Sequence, residues 1–226
     1  MATEPIARRR PRRATLKDEA AQHLRGLIFS GELPPTSRIN QDAIAEHLGI
    51  SKLPVREALI QLASEGLVDM EANRGAFVAP LGPDDVRDHY HIFGLVAGLA
   101  VERATPLLEE SEIEELVELQ REMDAATDSV DQERLNHEFH RRLHRVGASR
   151  RLLAVLRYLS GTMPLDWFSF AEGWSEVACR QHWGIIEALR DRDAELAGAR
   201  VVEHFTSVAN QGVEILRDRG AWSPAD

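Results

Sequence analysis

A chain of 226 residues with 43% hydrophobic and 28% charged residues has the composition of an ordinary globular protein, long enough for one large or two modest cores. No apolar run approaches the roughly 20 residues of a bilayer span, the arginine-bearing N-terminus lacks the apolar core of a secretory signal, and Cys179 is the one cysteine. A membrane protein, a secreted protein and an intrachain disulfide are therefore not expected, and a reducing cytoplasm is. The net charge of −10 argues against nucleic acid only until it is divided: residues 1–80 hold 11 Lys and Arg against 10 Asp and Glu, and residues 81–226 hold 16 against 27.

Residues 1–15 read as a basic arm, with five arginines in Arg8-Arg-Arg-Pro-Arg-Arg13. Such an arm either follows phosphates and a minor groove or is a solubilising tail. Lys17–Phe29 has the spacing of a helix with Ala20, Leu24, Leu27 and Ile28 inward, and Glu32–Ser37 is a loop. A helix over about Gln41–Leu48 ends at Gly49. Ser51 then suits the N-cap of a second helix to Ser64, because its hydroxyl can accept an orphan backbone N–H. Pro54 is tolerated in the first turn. Val55, Leu59, Leu62 and Ala63 make one apolar face, and Lys52 and Arg56 project off it near the helix start. Two short helices about a tight glycine turn, the second cationic at its beginning, describe a helix-turn-helix. Leu67–Glu71 and Ala76–Ala79 read as strands joined by a turn that carries Arg74 and Gly75, which adds a wing.

The segment Leu16–Pro80 resembles the DNA-binding domain of the GntR family of bacterial transcription regulators. The resemblance rests on Leu24, Ile28, Gly31, Leu33, Pro35, Ile44-Ala45, Leu48-Gly49, Ser51, Pro54-Val-Arg-Glu-Ala-Leu59, Leu62, Glu65-Gly-Leu67 and Gly75. Thr36 departs from it, since the family usually has Gly after Pro35. The resemblance implies DNA contact by Ser51, Lys52, Pro54 and Arg56, and by Arg74 and Gly75 at the wing tip.

Pro80-Leu-Gly-Pro83 is a linker, after which strand signals stop. Pro83 opens a helix to about Thr105. Ser111–Glu114 has the form of a capping box for a helix to about Ala126, with Ile113, Leu116, Val117 and Leu119 facing inward and the charges of Glu109–Glu122 in water. Asp131 suits the cap of a helix to Val146 ended by Gly147, and Ser149 that of one to about Met163. Helices over Trp174 or Ser175 to Arg190 and Asp193 to Arg217 follow. The fold class is thus mainly α: a winged helix-turn-helix over 16–80, then an antiparallel bundle of about six helices over 83–220.

Seven of the nine histidines lie in the bundle. Asn136 and His140 are four apart and share a helix face, while His182 and His204 fall on two later helices. Facing helices of a bundle can supply metal ligands in this way, and three neutral imidazoles with one oxygen donor suit zinc or nickel. Asn136-His-Glu-Phe-His140, His182-Trp-Gly-Ile-Ile-Glu-Ala-Leu189, Asp193, Ala197 and His204 resemble the FCD domain, the ligand-binding half of FadR-type GntR regulators. The resemblance implies a divalent metal held by Asn136, His140, His182 and His204, with Asn136 standing where the family often has Asp. His144 is a substitute ligand or a packing residue, and His137 points away. Phe93 and Ala97 occupy positions where relatives often carry an Arg and a Glu that face the effector. Gly94 and Gly98 either admit a close helix or leave room for a ligand. Trp167, Trp174 and Trp183 read as core or loop anchors, with Phe168 and Phe170 candidates to cap the pocket.

The expected function is a DNA-binding transcription regulator, not an enzyme. It is a homodimer that acts as a repressor on a palindromic double-stranded operator, and its affinity is controlled by a small metabolite such as an organic acid. The competing reading is a metal-dependent hydrolase using the three histidines, with Glu138 or Glu187 as general base.

Overall fold

The computed structural model describes residues 15–162 and 174–218, with the side chains of residues 174–176 not described. The basic arm, Trp167, Phe168, Phe170 and the Trp174 side chain lie outside that description. The chain divides into two compact units, Met1–Pro80 and Leu81–Asp226.

The first unit begins with α1 (Leu16–Phe29), whose Thr15 cap and Asp18 close a capping box. Ala20, Ala21, Leu24 and Ile28 of its inner face are buried. Helix α2 (Gln41–Leu48) is capped by Asn40, which accepts from the N–H groups of Asp42 and Ala43, and it ends at Gly49 with φ +64°. Helix α3 (Lys52–Ser64) lays Val55, Ala58, Leu59 and Leu62 on the core. Ser51 holds the N-cap position of α3, but its hydroxyl makes no capping hydrogen bond, so the sequence expectation of a cap bond there is corrected. A buried pair that no local pattern announces ties the ends of this unit together. The Arg25 guanidinium donates to both Glu65 carboxylate oxygens at 2.7 to 3.0 Å. That two-pronged geometry repays part of the desolvation of both charges.

Strands β1 (Val68–Glu71) and β2 (Gly75–Val78) form an antiparallel hairpin in which Val68 faces Val78 and Glu71 faces Gly75. Asn73 (φ +63°) and Gly75 (φ +113°) turn the chain. The segment before α2 lies along β2: the Ile39 N–H donates to the Ala76 carbonyl at 2.9 Å and the Val78 N–H to that of Ser37 at 3.0 Å. To reach this register Thr36 takes φ +64°, a left-handed conformation that is strained for a β-branched residue. This is the physical reason a glycine suits that position.

The second unit is helical throughout its described residues: α4 (Pro83–Ala104), α5 (Glu110–Ala125), α6 (Ser129–Gly147), α7 (Arg150–Ser160), α8 (Trp174–Arg190) and α9 (Ala194–Asp218). Two caps differ from expectation. Helix α5 is capped two residues early, at Glu109 with Glu112 closing the box, rather than at Ser111. Helix α6 is capped by Asp128, which accepts from the Asp131 N–H, so Asp131 is the donor to the cap and not the cap itself. In both cases a carboxylate two or three residues upstream takes the N-cap position, where a negative charge suits the helix dipole. Gly147 is still helical. It is required by packing: a Cβ there would meet the Ala100 carbonyl oxygen at 1.9 Å. Gly94 and Gly98 likewise serve close packing, since a Cβ on Gly98 would lie 2.8 Å from the Gly198 carbonyl oxygen of α9. Ile113, Leu116, Phe139, Leu143, Ile185, Ile186, Leu189, Val201 and Val213 fill the core between these helices.

Candidate metal centre and nucleic-acid interface

In the helical unit the three histidines named by their placement converge. His140 from α6, His182 from α8 and His204 from α9 each offer a ring nitrogen, and the three nitrogens lie within 4.8 Å of one another, buried. Helical phase brings them there: Leu135, Phe139 and Leu143 anchor α6, Ile185, Ile186 and Leu189 anchor α8, and Val201, Phe205 and Val208 anchor α9. Phe139 stacks on the His182 ring at 4.3 Å, and Phe205 lies 5.3 Å from the His140 ring.

Two glutamines orient the rings. His182 Nδ1 lies 2.9 Å from Gln120 Oε1, and His204 Nδ1 lies 3.0 Å from Gln181 Oε1. An amide oxygen can only accept, so each Nδ1 carries the proton and each Nε2 keeps its lone pair. Gln120 is in turn fixed by its amide, which donates to Asp124 Oδ1 at 2.7 Å. Such outer partners set ligand orientation and basicity in metal sites. Neither glutamine was singled out from sequence. For Gln120 a signal existed: it lies four residues beyond Leu116, so it falls on the face that Ile113, Leu116 and Val117 turn inward.

The cluster is also neutral. Burial holds His140 and His182 well below the ordinary imidazole range, with the neighbouring imidazoles acting in the same direction. His144 and His204 are pushed down to about 4 by burial. Several buried polar atoms have no hydrogen-bond partner: His182 Nε2, both nitrogens of His140, His144 Nε2, Asn136 Oδ1 and Gln211 Oε1. Buried polar atoms are nearly always satisfied, and six orphans in one helical unit are what a cation and a polar ligand would satisfy. The donor set therefore fits a divalent metal: neutral imidazoles, with His182 Nε2 and both His140 nitrogens lacking hydrogen-bond partners, and an amide oxygen one turn before His140. No buried Lys or Arg occurs among the described residues of this unit. Phe93 is buried against Phe205, ring centres 4.4 Å apart, and is 6.4 Å from His144; Ala97 is fully buried. His137 is exposed.

The two carboxylates considered as general bases are engaged or exposed. Glu138 accepts from Arg141 and Arg142, which hold its carboxyl down at about 2, and Glu187 is exposed.

In the first unit, Ser51, Lys52, Leu53, Arg56, Glu57 and Ile60 form the exposed face of α3. Arg56 makes no ion pair among the described residues, whereas Lys52 bridges Asp42 at 2.8 Å. Pro54 is half-buried in the first turn. On the hairpin Arg74 pairs with Glu71 and lies 5.5 Å over the Phe77 ring, beside Gly75.

A helix-turn-helix followed by a hairpin wing defines a DNA-binding domain, and here a unit helical throughout its described residues follows it. Comparison with known proteins identifies both. Residues 16–78 match the gntR family of bacterial regulatory proteins and residues 88–207 match the FCD domain. The chain belongs to the GntR family of transcription regulators and carries an FCD domain. It is similar to the Nta operon transcriptional regulator of Aminobacter aminovorans, 30% identical over 197 residues that cover 84% of this chain and 91% of that one. It is also similar to the uncharacterised HTH-type transcriptional regulator YdhC of Bacillus subtilis, at 28% over 188 residues, 80% and 84% of the two chains. A solved GntR-family regulator from Pseudomonas syringae pv. tomato superposes with a TM-score of 0.58 at 25% identity, covering 93% of this chain and 90% of that one. None of the described helices is long and apolar enough to cross a membrane.

Proposed function

We propose that this regulator is a FadR-type, cytoplasmic homodimeric repressor whose hold on a palindromic operator is released by a small effector bound beside a divalent metal in the helical unit. The observation that carries the ligand half of this reading is the buried, mutually facing His140–His182–His204 cluster with its unsatisfied Nε2 of His182 and Oδ1 of Asn136.

Asn136, His140, His182 and His204 would hold zinc or nickel. When bound, such an ion supplies a Lewis-acidic charge that anchors an oxygen donor, such as the carboxylate of an organic acid. Around it Gln120 and Gln181 keep the imidazoles in the ligating tautomer. His144 and Gln211 offer polar atoms to an effector, while Phe93 and Ala97 form an apolar wall where a guanidinium would grip a carboxylate.

On DNA, Ser51, Lys52, Pro54 and Arg56 would enter the major groove, with the wing residues Arg74 and Gly75 at the minor groove. Two copies would read half-sites about 34 Å apart. The pairing surface is α4: Ile92, Leu95 and Leu99 are exposed at the three-then-four spacing of a coiled-coil seam, and that seam matches a second copy of itself. Effector binding would change the relative populations of operator-competent and incompetent arrangements.

A gel shift on the protein's own upstream DNA at physiological salt tests the output, with Arg56→Ala as control. Binding no tighter than to random DNA refutes it. Metal content by mass spectrometry tests the input: equal content in wild type and a folded His182→Ala protein removes the site.

A further inference from the structure

The exposed face of α3 carries an apolar side chain that neither the core nor a salt bridge explains. Leu53 is 65% exposed. It stands at the second position of α3, between Lys52 and the unpaired Arg56, while Val55, Ala58, Leu59 and Leu62 supply all the burial the helix needs. The only other exposed aliphatic on α3 is Ile60, two turns further from the helix start.

The first residues of a recognition helix are the ones that reach base edges. The floor of the major groove offers one apolar group, the C5-methyl of thymine, and an aliphatic side chain meets it favourably. Flanking cations can contact phosphates or guanine edges, but neither reads a methyl group, which an aliphatic side chain can. From these placements, and resting on the DNA-reading function proposed above, we infer that Leu53 is a specificity residue that reads a thymine methyl in each operator half-site.

The chemistry of the contact makes its test direct, because deoxyuridine pairs like thymidine and lacks only that methyl. Full-length protein is used to select duplexes from a random library. Each thymine of the selected site is then replaced singly by deoxyuridine, and binding is compared for wild type, Leu53→Ala and Leu53→Ser. Because Leu53 is exposed, both variants keep the wild-type melting temperature.

For wild type, one thymine per half-site loses about fourfold in affinity on replacement, and about fifteenfold when both half-sites are changed, the transfer worth of one methyl group per contact. In Leu53→Ala the same replacement has no effect, and selection with Leu53→Ser relaxes at that position alone. Three outcomes overturn the inference. A deoxyuridine penalty that persists undiminished in Leu53→Ala removes it while leaving DNA reading intact. An unchanged selected site with a shifted assembly state assigns Leu53 to a protein contact instead. Failure of wild type to select any sequence removes the DNA-reading function, and this inference with it.

Discussion

Acid destabilises the helical unit from inside its histidine cluster. Unfolded imidazole titrates near 6.5, and burial holds His144 and His204 at about 4 in the fold. His140 and His182 are displaced in the same direction. Below pH 6.5 the unfolded chain therefore binds more protons than the folded one. Stability is complete above that value, falls as the pH drops toward 4, and loses nothing further from His144 and His204 beyond it. At 1.36 kcal/mol per pH unit, each of these two groups removes about 2 kcal/mol between pH 7 and pH 5. Domain stabilities are roughly 5–15 kcal/mol, so the pair takes a large share. The assay is urea unfolding in chelator, followed by tryptophan fluorescence; Trp167, Trp174, Trp183 and Trp222 all lie in the second unit, so the signal reports it alone. Replacing one titrating group by His144→Phe, beside Phe93, reduces the loss between pH 7 and pH 5 by about 2 kcal/mol. A midpoint that stays level over this range refutes the reasoning, as does a variant whose pH slope equals that of wild type.

The remaining expectations concern single residues. Three imidazoles and an amide leave a divalent ion's charge uncompensated in a buried site, so Asn136→Asp raises metal affinity at least about tenfold by calorimetric titration; equal affinity would show that residue 136 is not a ligand. Gly147→Ala drives a Cβ into the Ala100 carbonyl oxygen at 1.9 Å and the Ala104 nitrogen at 2.5 Å, both backbone atoms that cannot yield. It costs about 3 kcal/mol of helical-unit stability, and a near-neutral urea midpoint would contradict the packing. Thr36→Gly relieves a left-handed β-branched residue and stabilises the first unit by about 0.5–1 kcal/mol after glycine's own entropic cost; the check is a thermal melt, which must rise. Leu95→Glu places a charge in the proposed α4 seam, so the proposed dimer runs as a monomer in sedimentation, with operator affinity lost alongside; a dimer that persists in the variant moves the interface elsewhere.

Much of this was readable along the chain because the signals are local. The Gly49 turn, the Val55–Leu59–Leu62 stripe and the Asn73–Gly75 turn each depend on residues within a few positions, and backbone sterics and helical phase act over that distance. Helix starts were less secure. Ser111 and Asp131 have the right chemistry for caps, but Glu109 two residues earlier and Asp128 three residues earlier hold the positions, because several neighbouring polar side chains can serve and a local pattern does not choose between them. The placement of His140, His182 and His204 on separate helices suggested a shared site, and the resemblance to the FCD domain implied the same set.

By itself, then, the order of residues determined the two-part architecture and the cationic start of the second helix of the helix-turn-helix from spacing on one element, while the three histidines were singled out by their placement on separate helices together with the resemblance to the FCD domain. Only the tertiary structure decided what those elements meet. It joined Arg25 to Glu65 across 40 positions, closed Gly98 on Gly198 and set Gln120 against His182 across 62. It also left Leu53 in water beside Arg56. Contacts between distant segments depend on how helices dock, and docking is settled by the packing of whole faces, which no local window contains.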